Sequence, residues 1–146
     1  MKPDFQTFDE ELAAKMARGR SKQGIDAYLG IEVTSFSAGR LEARFEARDE
    51  LITMIGNMHG GCLAAFCDHC LGVIMYPVME PGSWAATTEF KVNYLNPVKG
   101  GTCSATAEII SMSKRLAVVR IDVENDGRLV CVAQGTCTIV APRASA

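Results

Sequence analysis

The chain has 146 residues, of which 48% are hydrophobic and 22% charged, and a formal net charge of −2. This balance suits one soluble globular domain with enough chain to bury a sizeable core. There is no basic excess to recruit nucleic acid or an anionic membrane, so an anionic ligand must be met by local cations.

The opening MKPDFQTFDEEL is acidic and lacks the apolar segment of a signal peptide. Thr7-Phe8-Asp9-Glu10 reads as a capping box, with Thr7 as N-cap and Glu10 as its partner, starting a short amphipathic helix over 8–18. The polar stretch 19–24 is a loop. Residues 28–37 (YLGIEVTSFS) read as a strand and Ala38-Gly39 as a turn. RLEARFEAR (40–48) then alternates with a period of two, the mark of a half-buried antiparallel strand. After a loop over 49–58 comes a helix over 60–79, apolar nearly all round and so expected to be buried. Pro77 and Pro81-Gly82 end it, and the longest apolar run within it, over 70–79, is too short to span a bilayer. Four strand segments follow, 85–95, 102–112, 115–125 and 128–140, broken at 97–101, at Ser113-Lys114 and at Asn125-Asp126-Gly127. Asp-Gly between alternating segments is a hairpin signal. The order α-β-β-α-β-β-β-β predicts an α+β fold, a curved antiparallel sheet wrapped around one long central helix, which is the hotdog arrangement. The whole chain, 1–146, reads as a single domain of this kind, with 1–24 as N-terminal helix and loop and 141–146 as a tail. Six cysteines (62, 67, 70, 103, 131 and 137) lie in apolar segments and read as reduced, buried thiols of a cytoplasmic protein.

The chemistry concentrates in 56–72, GNMHGGCLAAFCDHCLG. Between residues 63 and 79 the one formally charged side chain is Asp68. Desolvating a carboxylate costs several kcal/mol unless it is paired, so an acid on a core helix is a functional candidate, with a structural cap or ion pair as the alternative. Gly60-Gly61 at the helix N-terminus presents unpaired amides and a partial positive charge that can polarise a carbonyl oxygen; alternatively the glycines only let the chain turn. His59 reads as the residue that holds this turn. Asp68 lies eight residues beyond Gly60, about 12 Å along a helix. The two can act on one carbonyl if two helices run antiparallel across a two-fold axis. Asp68 would then serve as general base on a water or as the nucleophile. His69 points about 100° away from Asp68. Cys67-Asp68-His69-Cys70 sits in mid-helix with no second ligand pair, so neither a redox nor a metal site is expected. Lys114-Arg115 between two strands can hold a phosphate or form a solvated hairpin tip. Met54, Met58, Phe66 and Met75 are candidates to line an acyl pocket or to fill the core.

These segments resemble the PaaI-type acyl-CoA thioesterases. MIGNMHGGCLAAFCDHCLG is similar to that family's G-x-x-HGG-x-x-x-x-x-x-D pattern. EFKVNYLNPVKGG (89–101) is similar to its strand ending in Y-x-x-P before a glycine turn, and SKRLAVVRIDVEN and GRLVCVAQGTCTIV follow in order. The resemblance covers 28–140 and implies hydrolysis of an acyl-CoA thioester; a pocket bounded by the apolar helix and its neighbouring strands suits a medium-chain or aromatic acyl group. The resemblance implies that Asp68 is the catalytic carboxylate, that the Gly60 amide polarises the thioester carbonyl, and that His59 lies near the thioester, with Gly61 and Asn57 as candidates to bind CoA. Lys114 and Arg115 would contact the CoA phosphates, and Thr87, or Thr88 one place on, would supply a hydroxyl. Coenzyme A is then part of the substrate and no further cofactor is implied. The family assembles as a dimer of hotdog dimers, a tetramer with sites at the dimer interface. One departure is Thr53, at the position where many relatives carry Asn, six residues before the histidine. That swap motivates a non-catalytic acyl-CoA binding module as the alternative, and a His59–Asp68 pair motivates a hotdog enoyl-CoA hydratase or dehydratase.

Overall fold

A computed structural model describes Phe5 and residues 7–142. Residues 1–4 and 6 of the acidic opening and 143–146 of the tail lie outside the described residues. Helix α1 (Glu10–Arg18) begins two residues later than expected, and its cap is Asp9, not Thr7: the Asp9 carboxylate accepts from the Leu12 amide at 2.8 Å. A carboxylate at the N-cap also meets the positive end of the helix dipole, which a threonine hydroxyl does not. Residues 28 and 29, expected in a strand, instead close a short helix α2 (Gly24–Leu29). Gly30 ends it at φ 73°, donating to the carbonyls of Ala27 and Asp26, and the glycine's left-handed conformation is what frees the chain to enter β1 (Glu32–Ser37).

Six strands form one antiparallel sheet: β1, β2 (Arg40–Glu46), β3 (Trp84–Tyr94), β4 (Thr102–Met112), β5 (Leu116–Asn125) and β6 (Arg128–Val140), in the order β1-β2-β4-β5-β6-β3. The β5–β6 hairpin turns on Asp126 (φ 48°) and Gly127 (φ 81°), the mirror-image turn that suits the twist of paired strands. Helix α3 (Gly60–Val73) lies across β3, β6, β5 and β4. It is shorter than expected, because Pro77 belongs to a separate 3-10 turn, Tyr76–Val78. Counted through that turn, Gly60–Val78 is long and apolar enough to cross a membrane, yet half of it is buried against the rest of the chain as a core helix.

The core is the layer between α3 and the inner sheet face. Leu63, Phe66, Cys67, Cys70 and Leu71 of α3 meet Phe45, Val119, Ile121, Cys131 and Cys137, and the Phe45 and Phe66 rings pack edge to face at 4.8 Å. Gly135 on β6 is packed closely against both β3 and α3. A Cβ there would lie 2.5 Å from Phe90 Cβ, 2.7 Å from the Glu89 carbonyl oxygen and 2.9 Å from Leu71 Cδ1. A backbone carbonyl cannot move aside as a side chain can. Gly135→Val should therefore destabilise the chain by about 3 kcal/mol or more, a loss of roughly 10 °C in Tm. A melting curve within 2–3 °C of the parent, roughly a 1 kcal/mol change, would contradict this packing.

Candidate functional site

The segment before α3 is pinned at several points. A short 3-10 turn, Asp49–Leu51, precedes an isolated bridge between Ile52 and Met58. The Met58 amide donates to the Val98 carbonyl at 2.7 Å and the His59 amide to the Leu51 carbonyl at 3.1 Å. Between these anchors the Thr53 hydroxyl and amide both donate to the Asn57 carbonyl at 2.8 Å, closing a tight loop. Thr53 and Asn57 thus meet each other, with the Thr53 proton committed to the backbone. The tip of this loop exposes Met54 fully, while Met58, Phe66 and Met75 are buried. Of the four apolar side chains weighed for an acyl pocket, three are core residues and one points to solvent.

His59 is the N-cap of α3. Its Nδ1 accepts from the Gly61 amide at 2.9 Å, which leaves the ring proton on Nε2. A Cβ at residue 61 would stand 2.9 Å from that Nδ1, so the cap itself accounts for Gly61. The Cys62 amide is held by the His59 carbonyl at 2.9 Å. The Gly60 amide, between them, has no acceptor among the described residues. The helix N-terminus therefore offers the Gly60 N–H as a free donor at the positive end of a four-turn dipole. Cys62 is no rival nucleophile there: burial pushes its thiol up, with the Arg48 charge pulling the other way, so it keeps its proton at neutral pH.

Asp68 departs from the expectation. It is exposed, not buried. One face of α3 is covered by the sheet; the opposite stripe, Gly61, Asp68 and in part Ala64, Ala65 and Gly72, is left open in the single chain. Because the stripe is built of small apolar residues around one acid, the sequence alone reads as buried on all sides. Asp68 lies two helical turns beyond Gly60, and so about 12 Å from it along the axis.

Thr87 sits on the α3 side of β3, opposite Cys137, with its hydroxyl 4.0 Å from the Cys137 sulfur. A bulge between Thr87 and Glu89 turns Thr88 to the other face, where it bonds Thr138 at 2.6 Å. Burial raises the Cys137 thiol, the Thr87 contact opposes this, and the Asp68 charge adds to it. Cys67 and Cys70 are buried; Cys67 lies 4.0 Å from Cys131, and burial pushes Cys70 up to about 12.

His69 points away from Asp68, towards a cavity of about 240 Å³ beneath α1 and α2 lined by Met16, Arg20, Asp26 and Val73. Burial holds its imidazole below the usual 6.5, against the pull of Asp26 and Asp68. Below about pH 6.5 the unfolded chain takes up a proton that the folded chain refuses, so stability is full above that pH and falls as the pH drops through it. His69→Gln should lose less Tm than the parent between pH 7.5 and roughly 5.5. Parallel curves would show that His69 is not the titrating group.

Lys114 and Arg115 tip the β4–β5 hairpin, both exposed. They border a cleft of about 920 Å³ with Met79, Ser83, Met112 and Val140. This is the end of the sheet where β3 begins (Trp84 pairs with Val140), whereas Gly60 lies beside Tyr94, where β3 ends. An eleven-residue strand separates them by about 33 Å. One chain thus brings together His59, Gly60, Gly61, Thr53 and Asn57, sets Asp68 and Thr87 farther along α3 and β3, and carries the basic pair at the opposite end. Tyr94, which no reading of the sequence singled out beyond its place in Y-x-x-P, is the side chain against Gly60.

The profile of the thioesterase superfamily matches residues 55–132, which span the loop before α3, the helix and β3 to β5. The chain belongs to that superfamily. Its reaction class is accordingly thioester hydrolysis. The chain is 26% identical over 121 residues to a 1,4-dihydroxy-2-naphthoyl-CoA hydrolase of Listeria monocytogenes, covering 82% of this chain and 97% of the relative. It is 23% identical over 128 residues to the medium/long-chain acyl-CoA thioesterase YigI of Salmonella typhimurium, covering 75% and 80%. The crystal structure of a Haemophilus influenzae thioesterase superposes with a TM-score of 0.80 at 23% identity over 98% of this chain and 96% of the other. The superfamily member described here therefore has the hotdog fold.

Proposed function

We propose that this protein hydrolyses a medium-chain or aromatic acyl-CoA to the free acid and CoA. The observation that carries the reading is the unpaired Gly60 amide at the N-terminus of α3, in a chain of the thioesterase superfamily. The thioester carbonyl oxygen accepts from Gly60 N–H, and the negative charge that develops on it is stabilised by that donor and the helix dipole. Asp68 either takes a proton from the water that adds to the acyl carbon, or adds to that carbon itself. In both routes the carbon–sulfur bond breaks and CoA leaves and takes up a proton as the thiol; the first route yields the acid directly, and in the second a water then cleaves the acyl–Asp68 anhydride, releasing the acid and restoring the carboxylate. Relatives named for an aromatic and for a medium- or long-chain acyl-CoA bracket the substrate class.

Gly60, Asp68 and the Lys114-Arg115 pair are too far apart in one chain to meet one substrate, and a second copy resolves this. β3 is an edge strand, and Trp84 and Tyr94 on it and Leu95 just beyond it are about half exposed. Two such edges running antiparallel across a two-fold axis bring the start of one β3 beside the end of the other. Gly60 of one protomer then faces Asp68 of its partner, and the partner's basic hairpin approaches the CoA phosphates. The assembly is a hotdog dimer, paired again as a tetramer. A cytoplasmic setting fits six unpaired cysteines, five of them buried.

A binding module is the second reading, favoured by Thr53: its hydroxyl proton is committed to the Asn57 carbonyl, leaving only lone pairs to offer a water. A His59–Asp68 acid–base pair of the hydratase type has less support, because Nδ1 of His59 is occupied by the Gly61 amide. The test is thiol release, followed with an Ellman-type reagent, across aliphatic and aromatic acyl-CoAs. Turnover is expected on at least one class. Acyl-CoA that binds and is never cleaved would replace the hydrolase by the binding module.

A further inference from the structure

We propose that the ring of Tyr94 positions the Gly60 amide, and that it, and not the helix turn, is the reason residue 60 is glycine; the inference rests on the thioesterase reading above. Gly60 is not among the residues with positive φ, so its backbone conformation is open to any residue. What opposes a side chain is space. A Cβ at residue 60 would lie 3.1 Å from Tyr94 Cζ, 3.3 Å from Cε1 and 3.4 Å from the hydroxyl oxygen. The two ring-carbon contacts are tighter than packed carbon normally makes, so the ring would have to shift by a few tenths of an ångström, while the hydroxyl lies at an ordinary contact distance.

Tyr94 is well placed to act as a wall. It ends β3 opposite Cys131. The chain just beyond it is pinned: the Leu95 and Asn96 amides both donate to the Val130 carbonyl, at 2.8 and 3.3 Å, and the Asn96 side-chain amide donates to the Leu129 carbonyl at 2.7 Å. The ring itself is about half exposed, with one side against Gly60. A carbonyl oxygen approaching the free Gly60 N–H is thereby confined to the side the ring leaves open, and water is kept from the other. The ring fixes the angle of approach; the amide supplies the hydrogen bond. The phenol also keeps its proton at neutral pH, since burial and the nearby Cys131 and Cys67 sulfurs raise it.

The test is a double-mutant cycle between Gly60→Ala and Tyr94→Ala, with Tyr94→Phe as the ring-preserving control, read as kcat and KM for the best acyl-CoA of the thiol-release panel. In the parent, Gly60→Ala should lower kcat about 30- to 100-fold with KM within about twofold, because displacing a reacting group by a fraction of an ångström is costly. In the Tyr94→Ala background the same substitution should cost less than about threefold. Tyr94→Phe should recover most of what Tyr94→Ala loses. Equal losses from Gly60→Ala in both backgrounds would overturn the steric role, and so would a Phe variant as impaired as the Ala variant, which would move the effect to the hydroxyl. Absence of turnover by the parent on the whole panel would overturn the thioesterase reading and this role with it, whereas turnover with equal losses would remove this role alone.

Discussion

Asp68→Asn should fold like the parent and lose at least about a hundredfold in kcat, the low end of what a positioned general base contributes, and far more if Asp68 is the nucleophile. The fold expectation follows from where the side chain sits. Asp68 is exposed on the open stripe of α3 and makes no hydrogen bond or ion pair among the described residues. Its replacement by an isosteric amide should therefore change stability by no more than about 0.5 kcal/mol, as for an ordinary surface position. The experiment pairs a thermal melt with the thiol-release assay on purified parent and variant. An unchanged melt with hydrolysis within a few fold of the parent would remove Asp68 from the reaction. The two chemical roles separate in a single turnover run in oxygen-18 water. A nucleophilic Asp68 forms a mixed anhydride with the acyl group. Water attacking the Asp68 carbonyl then leaves an unlabelled Asp68 oxygen in the product acid and labels the enzyme. A general base puts the label into the acid, as does water attack on the acyl carbonyl of the anhydride, so label in the enzyme is the result that marks Asp68 as the nucleophile.

The sheet was legible because its strands carry their period on the surface of the sequence. In 40–48 apolar and charged residues alternate without a break, 120–124 repeats that alternation, and 116–125 and 128–140 flank an Asp-Gly turn whose two residues both take positive φ. Helix ends were less legible. Tyr28 and Leu29 look like strand residues because they are apolar and precede a β-branched run, yet Gly30 in the left-handed region lets them close a helix first. Asp9 and Thr7 are both capping residues two places apart, and sequence spacing alone does not rank them. In the candidate site, the cluster around His59 is local in sequence and was readable as such. The exposure of Asp68 was not: Ala64, Ala65 and Gly72 have the hydropathy of a core face and the size of a contact face. Small apolar residues around an acid on an open helix stripe suit a surface that another chain covers. The contact of Tyr94 with Gly60 joins residues 34 positions apart and needs the fold before it can be seen.

That open stripe gives the second large prediction, a test of whether the site is shared between chains. Two inactive proteins are made, Asp68→Asn and Gly60→Val, the latter blocked by the Tyr94 ring beside residue 60. Each homodimer carries two damaged sites. In a heterodimer with antiparallel helices, one site takes intact Gly60 from the first chain and intact Asp68 from the second, and the other site takes both damaged residues. Equimolar mixing with subunit exchange makes about half the dimers heterodimers, so hydrolysis should recover to about a quarter of the parent rate. Subunit exchange is verified independently by pulling down one tagged variant with the other. If both residues came from one chain, every site in every dimer would keep one lesion, and verified heterodimers would stay inactive. Recovery also carries information about the substrate's path. The intact site in the heterodimer uses Gly60 of one chain, so its CoA phosphates should meet Lys114 and Arg115 of the other. Adding Lys114→Ala and Arg115→Ala to the Gly60→Val chain should then raise KM in the recovered activity, while the same changes on the Asp68→Asn chain leave it unmoved. The reverse result would place the basic pair and the amide on one protomer and would break the two-fold arrangement at its longest arm.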